Sequence, residues 1–213
     1  MQYYGQNGID RVLNEKFLKG KKSGLFIDCG AFDGVLESNT LCLYKDLNWR
    51  GISLEPVPII YEALVKNRPE DHNLNAALSN QSGVATFTQA ITGTFNKYGG
   101  NFGNGSLSHE EEHLKGLKRH CTFEQFEVET LTLPELYKRY QIDKEVDLFS
   151  LDVEGHEIQV LSKMGEVEKV LRPKFLVVEY NHCGKHSLEV ILKDLSYEPV
   201  YADGLNMILE KMF

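Results

Sequence analysis

The chain has 213 residues, 42% of them hydrophobic, enough to bury one sizeable core and not two, and no low-complexity linker divides it, so one domain over residues 1–213 is expected. A formal charge of −8 argues against a general binder of the nucleic-acid backbone, which needs clustered Lys and Arg to release counterions. The four cysteines (Cys29, Cys42, Cys121, Cys183) are widely spaced with no C-x-x-C pair or export signal, and the longest apolar runs are strand-sized, which argues against a disulfide frame and a membrane span and points to a cytoplasmic protein.

Short apolar runs recur along the chain, at Leu25 to Ile27, Ile52 to Leu54, Val146 to Leu151 and Phe175 to Val178, with helix-like sequence after them. Parallel strands buried on both faces read this way. The first run ends in Phe26-Ile27-Asp28-Cys29-Gly30-Ala31-Phe32-Asp33-Gly34, whose two glycines permit a tight turn and close backbone approach to a ligand. Glu55 ends the second run, about 20 residues after that turn, the spacing at which a carboxylate meets a ribose diol. A dinucleotide fits poorly, because the third glycine of G-x-G-x-x-G is missing and Asp28 and Asp33 would repel a pyrophosphate. S-adenosylmethionine has a ribose, no phosphate and two positive groups, so the aspartates favour it.

Beyond Glu55-Pro56, Pro58 suits the first turn of a helix, with Ile59, Leu64 and the Tyr61/Val65 pair at helical spacing. Residues 91–121 break the rhythm, with six glycines among Asn, Ser, His and charged residues. They read as a glycine-rich, substrate-side insertion, an acceptor-binding flap to which Gly99, Gly100, Gly103 and Gly105 lend mobility and Tyr98 and Phe102, with Tyr3 and Tyr4, offer sugar-stacking faces. Within it, His109-Glu110-Glu111-Glu112-His113 fits the H-E-x-x-H pattern of a zinc peptidase, in which one helix presents both histidines to the metal and Glu110 acts as base. That helix would have few apolar residues to pack, and the third histidine of the longer pattern falls on Arg119, one short of His120. The peptidase remains an alternative only, as does a non-catalytic binding module.

The later runs end in Asp152-Val153-Glu154-Gly155-His156-Glu157 and Glu179-Tyr180-Asn181-His182, both expected at the same crevice as the cofactor. "GHEIQVLSKM" reads as a helix with Ile158, Val160, Leu161 and Met164 as its apolar stripe, and "HSLEVILKDL" as another. The chain closes with two strands around Asp203-Gly204, a hairpin signal.

The stretch "GLFIDCGAFDGVLESNTLCLYKDLNWRGISLEP", with "NAALSNQSG" and "LFSLDVEGHEIQVL", resembles the FkbM family of S-adenosylmethionine-dependent methyltransferases. The likeness begins near "QYYGQNGIDRVL" and runs to about Tyr180, leaving the insertion outside it. It implies a class I, Rossmann-like methyltransferase: an α/β fold with a seven-stranded, mostly parallel sheet, an antiparallel C-terminal hairpin and helices on both faces. It also implies methyl transfer to oxygen, on sugars or other small molecules. By position, Asp28, Gly30, Asp33 and Gly34 would form the loop at the methionine end, Glu55 beside Pro56 the ribose acceptor, and Ala76 or Ala77 with Ser79 the adenine wall. Ser38, Asn39 and Thr40 match the family's Ser-Asn-Thr, and Gln6 matches a Gln near its amino terminus; both would border the cofactor. Cys29 and Phe32 depart from the family's usual residues and alter packing only. Such modules also occur within larger glycan-building proteins, so the chain is compatible with one domain of such a protein.

A sugar hydroxyl is a poor nucleophile and needs a general base, or a metal that lowers its pKa. His156 and His182 are base candidates because imidazole titrates near neutral pH, and Asp152 and Glu154 join them as candidate catalytic residues, although both can equally cap the following helix. Asp152, Glu179 and Asn181 supply oxygen ligands suited to Mg²⁺ or Mn²⁺, an arrangement similar to that of metal-dependent catechol-type O-methyltransferases.

Overall fold

The computed structural model describes residues 1–92, 101–109 and 111–212. After α1 (Ile9–Val12), which continues as a wider π-type turn to Leu18, come β1 (Leu25–Cys29), α2 (Leu41–Leu47), β2 (Arg50–Leu54), α3 (Pro58–Asn67), β3 (His72–Leu74) and β4 (Ala76–Leu78). Next are β5 (Gly83–Thr92), β6 (Asn101–Ser106), α4 (Glu111–Leu117), β7 (Cys121–Leu131), α5 (Leu133–Arg139) and β8 (Leu148–Leu151). The chain ends with α6 (Glu157–Leu161), β9 (Phe175–Glu179), α7 (Lys185–Asp194), β10 (Tyr197–Ala202) and β11 (Asn206–Lys211).

Seven strands form the main sheet in the order β10-β11-β9-β8-β1-β2-β3. The pairs from β9 across to β3 are parallel, and β11 runs antiparallel to both β9 and β10. Asp203 closes the hairpin, its Oδ1 accepting from the backbone N–H of Leu205 at 2.9 Å and of Asn206 at 2.8 Å. The strands read as continuous apolar runs because both faces are covered. Ile27, Ile52, Phe149, Leu176 and Val178 pack with Leu136, Val160, Leu161, Leu188 and Leu192 from α5, α6 and α7. Phe26, Leu148, Phe175, Val177 and Ile208 point the other way, onto Ile9 and Leu13 near the amino terminus and Leu43, Leu47 and Trp49 around α2. Successive strand side chains alternate faces, so each strand feeds both layers.

Two expectations change. In α3 the residues turned inward are Ile60 and Leu64, four apart, while Ile59 and Val65 stay exposed. A larger correction concerns residues 91–121, expected as a loop-like insertion outside the sheet rhythm. Residues 91–92, 101–106 and 121 belong to a second, four-stranded sheet, β4-β7-β5-β6, with α4 between β6 and β7, and β5 and β7 pair antiparallel from Gly83↔Thr130 to Thr92↔Cys121. The strand signal lay in "VATFTQAIT" and "CTFEQFEVETL", rich in Thr, Val, Phe and Ile, flanking the glycine-rich segment that drew attention away. Gly105 is required for packing rather than mobility, since a Cβ there would lie 2.3 Å from Gln89 Oε1 and 2.5 Å from the Phe87 ring. Tyr98, Gly99, Gly100 and the Phe102 side chain lie outside the described residues.

All four cysteines are free thiols. Among the described residues, no helix is long and apolar enough to cross a membrane.

Candidate active site

The turn after β1 is built by backbone conformation. Gly30 sits at φ 82°, and a Cβ on it would lie 1.8 Å from the carbonyl oxygen of Asp152, so β1 and the segment after β8 touch at this point with no room for a side chain. Gly30 N–H and Ala31 N–H both donate to the Leu54 carbonyl, at 3.1 and 3.0 Å, tying the turn to the end of β2. Glu55, just past β2, accepts from Phe32 N–H at 3.1 Å on one oxygen and from Val57 N–H at 2.8 Å on the other. It is nevertheless 5% exposed, and burial, reinforced by Asp152 and Asp33, pushes its pKa up to about 7.

These groups open onto a cavity of about 550 Å³. Gln6, Asp28, Gly30, Ser38, Asn39, Glu55, Pro56, Ala76 and Ala77 line it. Asp33, Gly34, Thr40 and Ser79 do not, and each has a structural duty instead. Asp33 is fully buried and its Oδ1 accepts from Val35 N–H at 2.9 Å and Leu36 N–H at 2.8 Å, which fixes the turn. Gly34 takes φ 73° against Arg68 and Leu64. Thr40 donates its hydroxyl to Asp28 Oδ2 at 2.6 Å, orienting the carboxylate that faces the cavity. Ser79 lies 3.0 Å from His156 Nε2.

Sequence reading passed over Arg68, which holds this half of the site together. Only 1% exposed, it donates from Nε to the Gly34 carbonyl at 2.7 Å and from Nη2 to Ser38 Oγ at 2.9 Å and Thr40 Oγ1 at 3.0 Å, and pairs with Asp71 at 3.5 Å. Its charge also attracts Asp28. A signal existed in "NRPED", an arginine before proline with an aspartate three residues on.

A second group of side chains reaches the same cavity from the ends of β8 and β9. Asp152, Glu154 and Glu179 each bring one carboxylate oxygen within 4.8 Å of the others. All three bind protons more tightly than ordinary carboxylates, first because water is removed around them and then because nearby carboxylates repel their charge, Glu157 acting on all three and Asp152 on Glu154 and Glu179. Asn181 is exposed at the cavity lining beside them. Glu157 turns away, its Oε1 accepting from Val153 N–H at 3.1 Å and Gly155 N–H at 3.2 Å, which secures the turn carrying Glu154.

The two histidine candidates separate. His182 Nε2 stands 3.3 Å from Glu154 Oε2 at the cavity. His156 lines the cavity but has a Ser hydroxyl on each nitrogen, Ser79 at 3.0 Å and Ser108 at 2.6 Å, and burial takes its pKa down to about 4. It is thus a clamp between the end of β4 and the segment after β6, poorly suited to receive an acceptor's proton. Replacing His156 by Ala should lower kcat by roughly tenfold while the limbs of the kcat–pH profile stay in place; loss of the ascending limb would restore it as the base.

Among the described residues, the two histidines of the zinc-peptidase pattern do not share one helix. Helix α4 starts at Glu111, so His109 precedes it and its Nε2 is engaged with the Asn104 carbonyl at 3.1 Å. His113 meets the His109 ring edge-on, centres 5.6 Å apart, and stacks on His182, ring centres 3.7 Å apart and planes within 8°. Glu110 lies outside the described residues.

The model of the methyltransferase FkbM domain matches residues 28–199. The chain belongs to the FkbM methyltransferase family. No curated protein sequence matches it. Among solved structures, it is similar to methyltransferase FkbM from Methylobacillus flagellatus KT, with 11% identity and TM-score 0.50, over 88% of this chain and 43% of that one. The chain thus spans less than half of that protein's length. It is also similar to the METTL16 MTase domain, with 10% identity and TM-score 0.51, over 97% of this chain and 67% of that one. At such identities the likeness concerns the fold, and both neighbours are methyltransferases.

The family implies S-adenosylmethionine, and this FkbM chain's cavity suits it. Gly30 and Glu55 line the cavity, and its surplus of carboxylates favours a ligand carrying a sulfonium and an ammonium.

Proposed function

We propose that this FkbM protein transfers the methyl group of S-adenosylmethionine to a hydroxyl of a sugar or glycan, with a non-sugar small-molecule hydroxyl as the alternative. The observation that carries the reading is that Asp28, Gly30 and Glu55 share one cavity with Asp152, Glu154, Glu179 and His182. Bound there, S-adenosylmethionine supplies an electrophilic methyl group.

In this reading Glu55 accepts the ribose hydroxyls, Asp28 and the Gly30 backbone hold the methionine end, and Ala76 and Ala77 offer apolar surface to the adenine. Asp152 takes the acceptor's proton, since a carboxyl with its pKa pushed up to about 7 is a stronger base than an ordinary carboxylate and still partly ionised near neutral pH, whereas Glu154 and Glu179 are pushed further up and stay protonated there. The amides of Gln6, Asn39, Gln89, Asn104, Asn181 and Asn206 line the same cavity, which supports a polyhydroxyl acceptor over an apolar one. The four free thiols support a reducing, cytoplasmic setting. The reading applies equally if the chain is one domain of a larger glycan-building protein.

Transfer of tritium from methyl-labelled cofactor to a panel of saccharides, hydroxylated small molecules, peptides and RNA tests this. Label is expected in saccharides as base-stable methyl ethers; label confined to RNA or to peptide nitrogen would overturn the hydroxyl reading.

Cofactor affinity should also depend on pH. Glu55 accepts ribose hydroxyls only when ionised, and in the free protein its pKa is pushed up to about 7. Lowering the pH below about 7 therefore imposes a deprotonation cost on binding, up to tenfold in Kd per unit, and above 7 the dependence from this group vanishes. Calorimetric titration between pH 5.5 and 8.5 checks it, and Glu55→Gln should bind more weakly with a flattened profile. Equal pH dependence in that variant would remove Glu55 as the titrating group.

A further inference from the structure

We propose that His113, Glu154 and His182 form a binding site for one divalent transition-metal ion, of the Zn²⁺ or Co²⁺ type, at the edge of the cofactor cavity. The three come from separate elements: His113 from α4, Glu154 from the turn after β8, and His182 from the turn after β9. One ligand atom from each lies within 4.8 Å of the other two. Two imidazole nitrogens and one carboxylate suit a borderline ion rather than Mg²⁺, which prefers oxygen alone.

Two nitrogens bound to a tetrahedral zinc at about 2.0–2.1 Å stand about 3.3 Å from each other, within the 4.8 Å spread of the ligand atoms here. The His113 and His182 rings are stacked, centres 3.7 Å apart and planes within 8°, so binding one ion requires both rings to turn out of the stack toward a common point. Glu154 is held at φ 55°, a conformation a glutamate seldom adopts, and its carboxylate Oε2 faces His182 Nε2 at 3.3 Å.

A second observation points to a cation at the same place. Glu179 is 8% exposed, its Oε2 is buried with no hydrogen-bond partner, and it converges with Asp152 on Glu154. Two groups of possible ligands, one with the histidines and one of carboxylates only, thus share Glu154. A cation on the histidine side would be attracted by these converging carboxyl oxygens. The role of the ion rests on the hydroxyl-transfer reading: a site at the cavity edge can take the acceptor oxygen and lower its pKa, leaving Asp152 to receive the proton.

Titration of the full chain with Co²⁺, followed by its visible d–d absorption and by calorimetry, tests the site directly. The expected result is one ion per chain, displaced by Zn²⁺, with affinity at least about tenfold weaker in each of His113→Ala, His182→Ala and Glu154→Gln and unchanged in His109→Ala. Retained S-adenosylmethionine binding and an unchanged far-ultraviolet spectrum identify the variants that fold, and His182, in a partly exposed turn, is informative even if α4 tolerates no change. No Co²⁺ binding, or binding indifferent to His113 and His182, would overturn the proposal. So would loss of binding in His109→Ala with His182→Ala unaffected, which would indicate an H-E-x-x-H site after all. Labelled methyl transfer measured with and without chelator separates the two readings: metal bound without transfer to any hydroxyl leaves the site and removes its role, whereas transfer that persists in a protein binding no metal removes the site alone.

Discussion

Gly30→Ala is expected to cost on the order of 4 kcal/mol of folding stability and to abolish measurable cofactor binding. Two penalties combine. The first is conformational: φ 82° at Gly30 disfavours any residue with a Cβ by about 1–2 kcal/mol. The second is steric, because the new Cβ would lie 1.8 Å from the Asp152 carbonyl oxygen, a backbone atom that cannot rotate away. Relief requires β1 and the segment after β8 to part, which moves Asp28, Glu55 and Asp152 together, since Gly30 N–H and Ala31 N–H anchor the turn to Leu54. Gly20→Ala provides the comparison. Gly20 has φ 70° with open space around it, so only the conformational penalty of roughly 1–2 kcal/mol should appear, with cofactor affinity unchanged. Urea unfolding and calorimetric titration of both variants distinguish the effects. Equal losses would mean that the contact with Asp152 relaxes freely and that the turn is not the rigid cradle described.

Arg68→Met should destabilise the protein by roughly 3–5 kcal/mol, the range for removing one partner from a buried ionic network. The substitution leaves Asp71 and Asp28 without their nearby cation, and strands the Ser38 and Thr40 hydroxyls and the Gly34 carbonyl that the guanidinium satisfies. Asp71 already has its pKa pushed up to about 6 by burial, despite accepting from Gly51 N–H at 3.0 Å and lying beside Arg68. Without Arg68 it would bind its proton still more tightly. The sign follows from linkage: a carboxyl whose folded pKa exceeds its unfolded one stabilises the fold below the unfolded value and loses that contribution as pH rises through the folded value. The deficit of Arg68→Met should therefore be smaller near pH 5 than near pH 8, and Asp71→Asn in the same chain should recover part of it at pH 8. Urea midpoints at the two pH values measure this; a deficit independent of pH would mean that lost packing, not uncompensated charge, dominates.

Parts of this molecule were legible in the sequence for definite physical reasons. Strands buried on both faces leave apolar runs, so β1, β2, β8 and β9 could be read directly, and Asp203-Gly204 marked the closing hairpin. Asp28, Gly30 and Glu55 were readable because a turn that admits a ligand restricts residue type at fixed spacing. Proximity in sequence misled at Asp33, Gly34 and Thr40, which belong to the same motif but act on the turn and on Asp28 rather than lining the cavity. The second sheet was obscured because glycines suggested a loop, whereas Gly105 makes room for Phe87 and Gln89. Long-range partners were beyond local pattern altogether. Nothing in "SHEEEH" indicates that His113 will meet His182, and nothing beside Arg68 indicates that it will join Ser38 and Thr40, because those contacts arise only from the packing of distant elements.

The proposed function requires that the cavity at the ends of β1 and β2 hold S-adenosylmethionine through Glu55. Isothermal titration of the intact chain with S-adenosylmethionine, its demethylated product and NAD, repeated with Glu55→Ala, tests it most directly. One cofactor or product molecule bound per chain, no detectable NAD binding, and at least tenfold weaker cofactor binding in Glu55→Ala are the predicted results, a tenfold loss corresponding to about 1.4 kcal/mol. Failure to bind S-adenosylmethionine, or binding of the same strength in a folded Glu55→Ala protein, would contradict it.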